Sequence, residues 1–370
     1  MTSAFPKISL VTVYPTNACN FRCRYCFQPK KTERMSKETA DAMIDFFISS
    51  GRVEISDRFE FWFFGGEPLL EKELMKYIVE KSLEAAEEKG IKIGFGITTN
   101  LSLLNDSFLE FMVKHNFGVI ISYDGKYNQV IYRGYGNKKQ RKKLARKVEE
   151  NIKKLLATPL KQKTTCALQV PAGGLDNLYK NIMTCFDLGF EHVALNKIVD
   201  SYKSYSEKDL RILDREFAKI AKFILAEKAR GGRRTVNFFE KRINALKNSA
   251  MQSMSMLDPC TCGAAKGGVA VDPLGSIFPC QRLLYNEFKL GSVFEGIDQE
   301  KRAEFLKFAF RQCKKCDVSK AVCAPCFAAN YERYGDILKV PPDNCKYEKL
   351  VYKHAKKIFE VLPFVEEALI

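Results

Sequence analysis

Histidine is scarce in this chain of 370 residues. Only His115, His192 and His354 occur, and none stands at metal-ligand spacing. Any metal centre must therefore be built on sulfur. Long hydrophobic runs are missing too: no stretch approaches ~18 uncharged apolar residues, so no membrane-spanning helix is expected. The opening MTSAFPKISLVTVYP lacks both a long apolar core and a small-residue cleavage site. No export signal is read there, and a cytoplasmic location is expected. No repeat or low-complexity tract stands out.

What is present is a folded chain's composition, 46% hydrophobic and 28% charged. The length suits two domains, each able to bury its own core. Thirteen cysteines without an export signal read as metal ligands rather than disulfides. The net charge is +16, concentrated in patches such as Lys138–Lys143 and Arg230–Arg234. Such patches are either solvated surface or contacts for an acidic partner, whether a peptide leader, a nucleic acid or a small electron carrier. No recognisable RNA-binding module accompanies them, so nucleic acid is the least favoured partner.

The first 200 residues alternate strand and helix patterns. Strands are expected at residues 8–14, 59–64, 92–98, 118–123, 164–170 and 192–198. A helix capped by Ser36 presents Ala40, Met43, Ile44, Phe47 and Ile48 on one face. Further helices are expected at 71–89, ending at Gly90, and near 106–115, 141–156, 175–188 and 206–229. Repeated βα units imply an α/β fold with a parallel sheet and right-handed crossovers. From about Asp258 the cysteines become dense and the βα rhythm stops. The expected division is 1–230 for the βα domain, 231–257 for a linker and 258–370 for a cysteine-rich domain with a C-terminal helix.

Chemistry concentrates where the strands end. The run Cys19-Asn-Phe-Arg-Cys23-Arg-Tyr25-Cys26 follows the first strand. Three thiolates cannot complete a four-iron cluster, because each iron needs a ligand, so one iron is left open to a reactant. CxxxCxxC with an aromatic before the last Cys resembles the radical S-adenosylmethionine (radical SAM) enzymes. The resemblance implies a partial (β/α)6 barrel, a [4Fe-4S] cluster on Cys19, Cys23 and Cys26, and reductive cleavage of SAM to a 5′-deoxyadenosyl radical. Gly65-Gly66-Glu67-Pro68 ends the second strand and matches the family's GGEP motif, which implies that Glu67 holds the SAM amino group. Thr98-Thr99-Asn100 ends the third and is similar to Thr-Asn-Gly, with Leu101 in place of the glycine. Ser122-Tyr-Asp124-Gly ends the fourth and implies ribose contacts from Ser122 and Asp124. By the same resemblance Arg133 lies near the SAM carboxylate, and Leu195 with Asn196 lines the adenine. Tyr25, Gly65, Gly66 and Asn100 complete the expected cofactor contacts.

The second cysteine array, Cys262, Gly275, Cys280, Cys313, Cys316, Cys323, Cys326 and Cys345, resembles the SPASM domain, with Cys323 displaced by one position from the family spacing. The resemblance implies two auxiliary [4Fe-4S] clusters. Cys262, Cys280 and Cys326 would bind the first, with Cys260 as its candidate fourth ligand. Cys313, Cys316, Cys323 and Cys345 would bind the second. Cys166 and Cys185 are left as buried core residues.

Radical SAM–SPASM enzymes mostly modify ribosomally made peptides or proteins. In the sulfatase-maturase branch an Asp serving as base follows the cysteine equivalent to Cys280. Here that residue is Gln281, which accepts no proton at neutral pH. A peptide maturase installing a thioether or carbon–carbon cross-link is therefore expected ahead of an anaerobic sulfatase maturase making formylglycine. A non-catalytic Fe–S or RNA-binding protein is the alternative of another class. With Cys19 so near the start, no preceding leader-binding domain is expected, and a separate leader-binding protein could serve. An acidic flavodoxin or ferredoxin is the expected electron donor, and no membrane partner is expected.

Overall fold

The computed structural model describes residues 6–28, 31–198, 204–251, 264–308, 313, 316, 318, 323 and 325–367. Cys260 and Cys262 lie outside the described residues.

The βα rhythm expected from the sequence is realised in order: β1 (Ile8–Thr16), α1 (Lys37–Ile44), β2 (Ile55–Gly65), α2 (Lys72–Lys89), β3 (Lys92–Thr99), α3 (Asp106–Lys114) and β4 (Gly118–Ser122). Then come α4 (Gly125–Tyr132), α5 (Lys138–Leu156), β5 (Thr164–Val170), α6 (Leu178–Asp187), β6 (His192–Lys197), α7 (Glu207–Ala229), β7 (Thr235–Val236) and α8 (Asn237–Met251). The last part holds β8 (Gly268–Val271), β9 (Ser276–Phe278), β10 (Gly291–Ser292), β11 (Gly296–Ile297), α9 (Gln299–Leu306), α10 (Phe327–Tyr334) and α11 (Pro342–Glu367). Ser36 caps α1 as expected, accepting from the Thr39 N–H at 3.1 Å. Phe47 and Ile48 fall in a π-helical turn, Asp45–Ser49, beyond that helix. Gly90 ends α2 at φ +65°, a conformation glycine adopts without strain.

The chain divides into two compact units. In one, comprising 1–122, 134–164 and 263–308, β1 to β4 pair in parallel and in sequence order. Their inward side chains, among them Val11, Val13, Phe61, Phe63, Ile97 and Val119, are fully buried. β8 adds to the free edge of β1 in parallel, and β9, β10 and β11 follow antiparallel. The turn between β8 and β9 needs Gly275 at φ +81°, where a Cβ would come within 2.9 Å of Val293 and Phe294. In the other unit, comprising 123–133, 165–262 and 309–370, β5, β6 and β7 are parallel. There α7, α8 and α11 bring together Phe217, Phe239 and Tyr347, all fully buried.

These units cut the chain differently from the expected division. Residues 264–308 join the first unit through the β1–β8 ladder, and the expected linker carries β7 and α8. Helix α4 was also not expected. No helix among the described residues is long and apolar enough to cross a membrane.

Candidate active site

The cysteine loop springs from the end of β1 and is held at both of its roots. The Asn17 N–H donates to the Glu33 carbonyl at 2.9 Å, and Thr16 Oγ1 donates to the same oxygen. The Met35 N–H reaches the Pro15 carbonyl at 2.9 Å. Inside the loop the Cys26 N–H turns back to the Cys23 carbonyl. Cys19 and Cys26 are exposed and Cys23 is partly so. Tyr25 is half-buried.

The glycines of the GGEP turn do steric work against this loop. Gly65 has φ +111°, and a Cβ there would lie 2.5 Å from the Thr16 carbonyl oxygen. A Cβ on Gly66 would fall 2.0 Å from the Ala18 carbonyl oxygen. Only glycine lets the turn lie against Asn17 and Ala18, where the Gly66 and Glu67 N–H groups donate to Thr16 and Ala18.

Glu67 is 1% exposed. One carboxylate oxygen accepts from the Leu69 N–H at 3.1 Å and from Thr99 Oγ1 at 2.5 Å, and the other from the Asn100 N–H at 2.7 Å. Burial pushes its pKa up to about 7, although those donors and Lys72 pull the other way. Asn100 binds the cysteine loop through its side chain: its amide donates to Asn20 Oδ1 at 2.9 Å, and Asn20 in turn donates to Ser102 Oγ at 2.8 Å. Leu101, where a glycine is usual, takes φ +62° while fully buried. Such a conformation costs a side-chain-bearing residue ~1–2 kcal/mol. Asn151 of α5 fastens it, donating to its carbonyl at 2.8 Å. Ser122 ends β4 in the same unit and is half-buried.

In the other unit, Asp124 is fully buried and pairs with Arg133 at 3.0 Å. It also accepts from the Gln169 N–H at 3.1 Å. Leu195 is buried on β6 and Asn196 is exposed.

Tyr14, on β1, was not singled out in the sequence. It is fully buried, donates from its hydroxyl to the Gln281 carbonyl at 2.5 Å and accepts from Gln28 at 2.9 Å. Burial holds its pKa well above 10, so it remains a donor. Arg282 lies over the ring of Phe27 at 4.6 Å. Two residues that follow Cys26 thus meet two that follow Cys280. The one sequence signal was the aromatic directly before Pro15.

Of the remaining cysteines, Cys280 follows β9 in the first unit and is partly exposed. Cys313, Cys316, Cys323, Cys326 and Cys345 share the second unit, with Cys326 capping α10 and Cys345 in α11. Cys166 and Cys185 are fully buried with their sulfurs 3.5 Å apart. Among the described residues no three His, Cys, Asp or Glu side chains are already gathered to hold a metal ion. The donor set fits an iron–sulfur cluster nonetheless: three thiols on one loop, two of them exposed, beside a carboxylate with no cation at ion-pair distance among the described residues.

A parallel α/β sheet with this loop on its first strand and the glycine-rich turn on its second defines a radical SAM core. Residues 13–169 match the Radical SAM superfamily, so the chain carries a radical SAM core, and a cysteine-rich region follows towards its C-terminus. SAM and a [4Fe-4S] cluster are the cofactors this class implies. The chain is 24% identical, over 87% of its length and 90% of the relative's, to the cysteine-type anaerobic sulfatase-maturating enzyme of Clostridium perfringens. It is 21% identical to the radical SAM cyclopropyl synthase TigE of Paramaledivibacter caminithermalis, over 94% of this chain and 74% of TigE. Its fold is similar to native anSMEcpe with bound AdoMet and the Cp18Cys peptide, with TM-score 0.77 and 21% identity over 97% of this chain and 100% of that one.

Proposed function

We propose that this enzyme oxidatively modifies a ribosomally made peptide, forming a thioether or carbon–carbon cross-link. The observation that carries this reading is the residue after Cys280. Gln281 supplies no carboxylate, and its backbone carbonyl is engaged by a buried tyrosine that stays protonated. Formylglycine chemistry needs a base for the hydroxyl or thiol of its target, and none stands there. TigE, a relative by name a cyclopropyl synthase, supports bond-forming chemistry on this scaffold.

Cys19, Cys23 and Cys26 hold the cluster and leave one iron for SAM. Glu67, fixed by three donors, receives the SAM ammonium, which offsets the cost of burying its charge. Gly65, Gly66, Tyr25, Asn100, Ser122, Asp124, Arg133 and Leu195 complete the cofactor contacts. When bound, cluster and SAM together supply the 5′-deoxyadenosyl radical that removes a substrate hydrogen. We assign auxiliary clusters to Cys260, Cys262, Cys280 and Cys326 and to Cys313, Cys316, Cys323 and Cys345. Residues 258–370 are read as the SPASM segment. A cytoplasmic location, an acidic electron carrier and a separate leader-binding protein complete the reading.

A second reading, anaerobic sulfatase maturation, is favoured by the near-complete coverage of the Clostridium perfringens enzyme. Mass spectrometry of a candidate peptide co-expressed with the enzyme separates the two. Loss of two hydrogens with fragment ions missing between two residues marks a cross-link. Conversion of a Cys or Ser in a sulfatase-type peptide to an aldehyde marks the second reading and overturns the first.

A further inference from the structure

Helix α5 carries an exposed basic face. Lys138, Lys142 and Arg146 form one row at four-residue spacing, and Lys139, Lys143 and Lys147 the next. All six are exposed, and among the described residues none has an acidic side chain at ion-pair distance. The helix gains no stability from this pattern. Its first turn holds no acid, so two lysines face the positive end of the helix dipole, and each row stacks like charges one turn apart. The start of the helix is held instead by a reciprocal cap between Asn137 and Gln140.

The segment just ahead of this helix is bonded to the cysteine loop, and the helix itself holds the turn that the loop binds. The Arg22 N–H, between Cys19 and Cys23, donates to the Gly134 carbonyl at 3.1 Å, just ahead of the Asn137 cap. Gly134 lies against Leu144 and Arg141 of α5. Further along, Asn151 holds the Leu101 turn, whose neighbours Asn100 and Ser102 bind Asn20. Charge collected on α5 therefore stands on the support of the loop that would carry the SAM cluster.

We propose that the exposed face of α5 docks an acidic one-electron carrier protein of the flavodoxin or ferredoxin class. The proposal rests on the radical SAM reading above. None of the large exposed apolar side chains among the described residues lies on α5. A peptide in a groove is held by apolar anchors, whereas a transient redox partner is steered by complementary charge over a small, wet contact. In the step served, the carrier is oxidised by one electron and the cluster on Cys19, Cys23 and Cys26 is reduced by one. No bond forms or breaks, and no proton moves.

The test is the triple variant Lys142→Glu, Lys143→Glu, Arg146→Glu, all solvent-facing. Its 5′-deoxyadenosine production is compared with wild type using dithionite and using a reduced flavodoxin, and flavodoxin binding is measured separately by fluorescence anisotropy. The dithionite rate is expected to be unchanged. The flavodoxin-driven rate and the binding constant are expected to fall by about tenfold or more at low ionic strength, and the steep salt dependence of wild type should flatten. Flavodoxin binding and flavodoxin-driven turnover that match wild type overturn the proposal. So does a variant that loses peptide binding while flavodoxin still drives SAM cleavage. Wild type that cleaves no SAM even with dithionite overturns the enzyme reading itself, and the proposal with it.

Discussion

Two buried carboxylates stand at or just past strand ends, and their settings are opposite. Asp124 has a guanidinium at 3.0 Å and is fully buried with it. Glu67 is buried just as deeply, but its partners are neutral donors from Leu69, Thr99 and Asn100. A buried charge without a counter-ion is costly, and the raised pKa of Glu67 shows the strain of that position. Asp124 already has its counter-ion within the protein. Glu67 has only neutral donors around it and no cation at ion-pair distance among the described residues, which is the setting that supports the proposal that it receives the ammonium of SAM.

Replacing Cys19, Cys23 and Cys26 together by Ala removes the reason for any arriving cation. 5′-Deoxyadenosine formation should be abolished, while iron bound by the C-terminal cysteines remains in an iron assay. Retained SAM cleavage would break the central assignment. Next in size is Arg133→Met, which removes the guanidinium that pairs with buried Asp124. A loss of ~3–5 kcal/mol is expected in denaturant melts. A change below about 1 kcal/mol would mean that the two carboxylates are not differently supported.

The pH dependence of Glu67 has a defined sign. Its folded pKa is raised from 4.5 to about 7, so the folded state keeps a proton that the unfolded chain has released. The stability it contributes is full below about pH 4.5 and lost as pH rises through about 7, an effect of about 3 kcal/mol. Glu67→Gln should flatten that part of the stability profile. SAM binding should show the reverse trend, tightening as pH rises through about 7, and the Gln variant should bind SAM about ten- to a hundredfold more weakly. Equal SAM affinity for both proteins across this range would remove Glu67 from the ammonium site. The smallest effect expected is that of Tyr14→Phe. It keeps the ring but removes the hydroxyl shared by Gln28 and Gln281, costing about 1 kcal/mol in thermal or chemical melts.

Much of this site was legible before the fold was known. The CxxxCxxC loop, GGEP and Thr-Thr-Asn are short runs whose spacing carries their chemistry, and each does fall at a strand end. The six strands of the βα region appear where β-branched and aromatic runs stop at turn residues. The start of α5 was read three residues late, because its capping box at Asn137 and Gln140 lies inside a basic run without apolar periodicity. The glycines of GGEP are expected from the sequence among the cofactor contacts. In the structure Gly65 makes room for Tyr14 and Thr16, and Gly66 for Asn17 and Ala18, a contact between segments far apart in the chain that no local pattern records.

The amino-acid sequence alone determined the reaction class, because sulfur ligands and strand-end motifs are local, and local spacing is enough to specify what they can bind. Tertiary structure decided the rest. It set β8 beside β1 across more than 250 residues of chain, joined Gln28 and Gln281 through Tyr14, and gave Asp124 a counter-ion while leaving Glu67 with none at ion-pair distance among the described residues. Such pairings depend on which surfaces are buried together, and burial is a property of the folded chain.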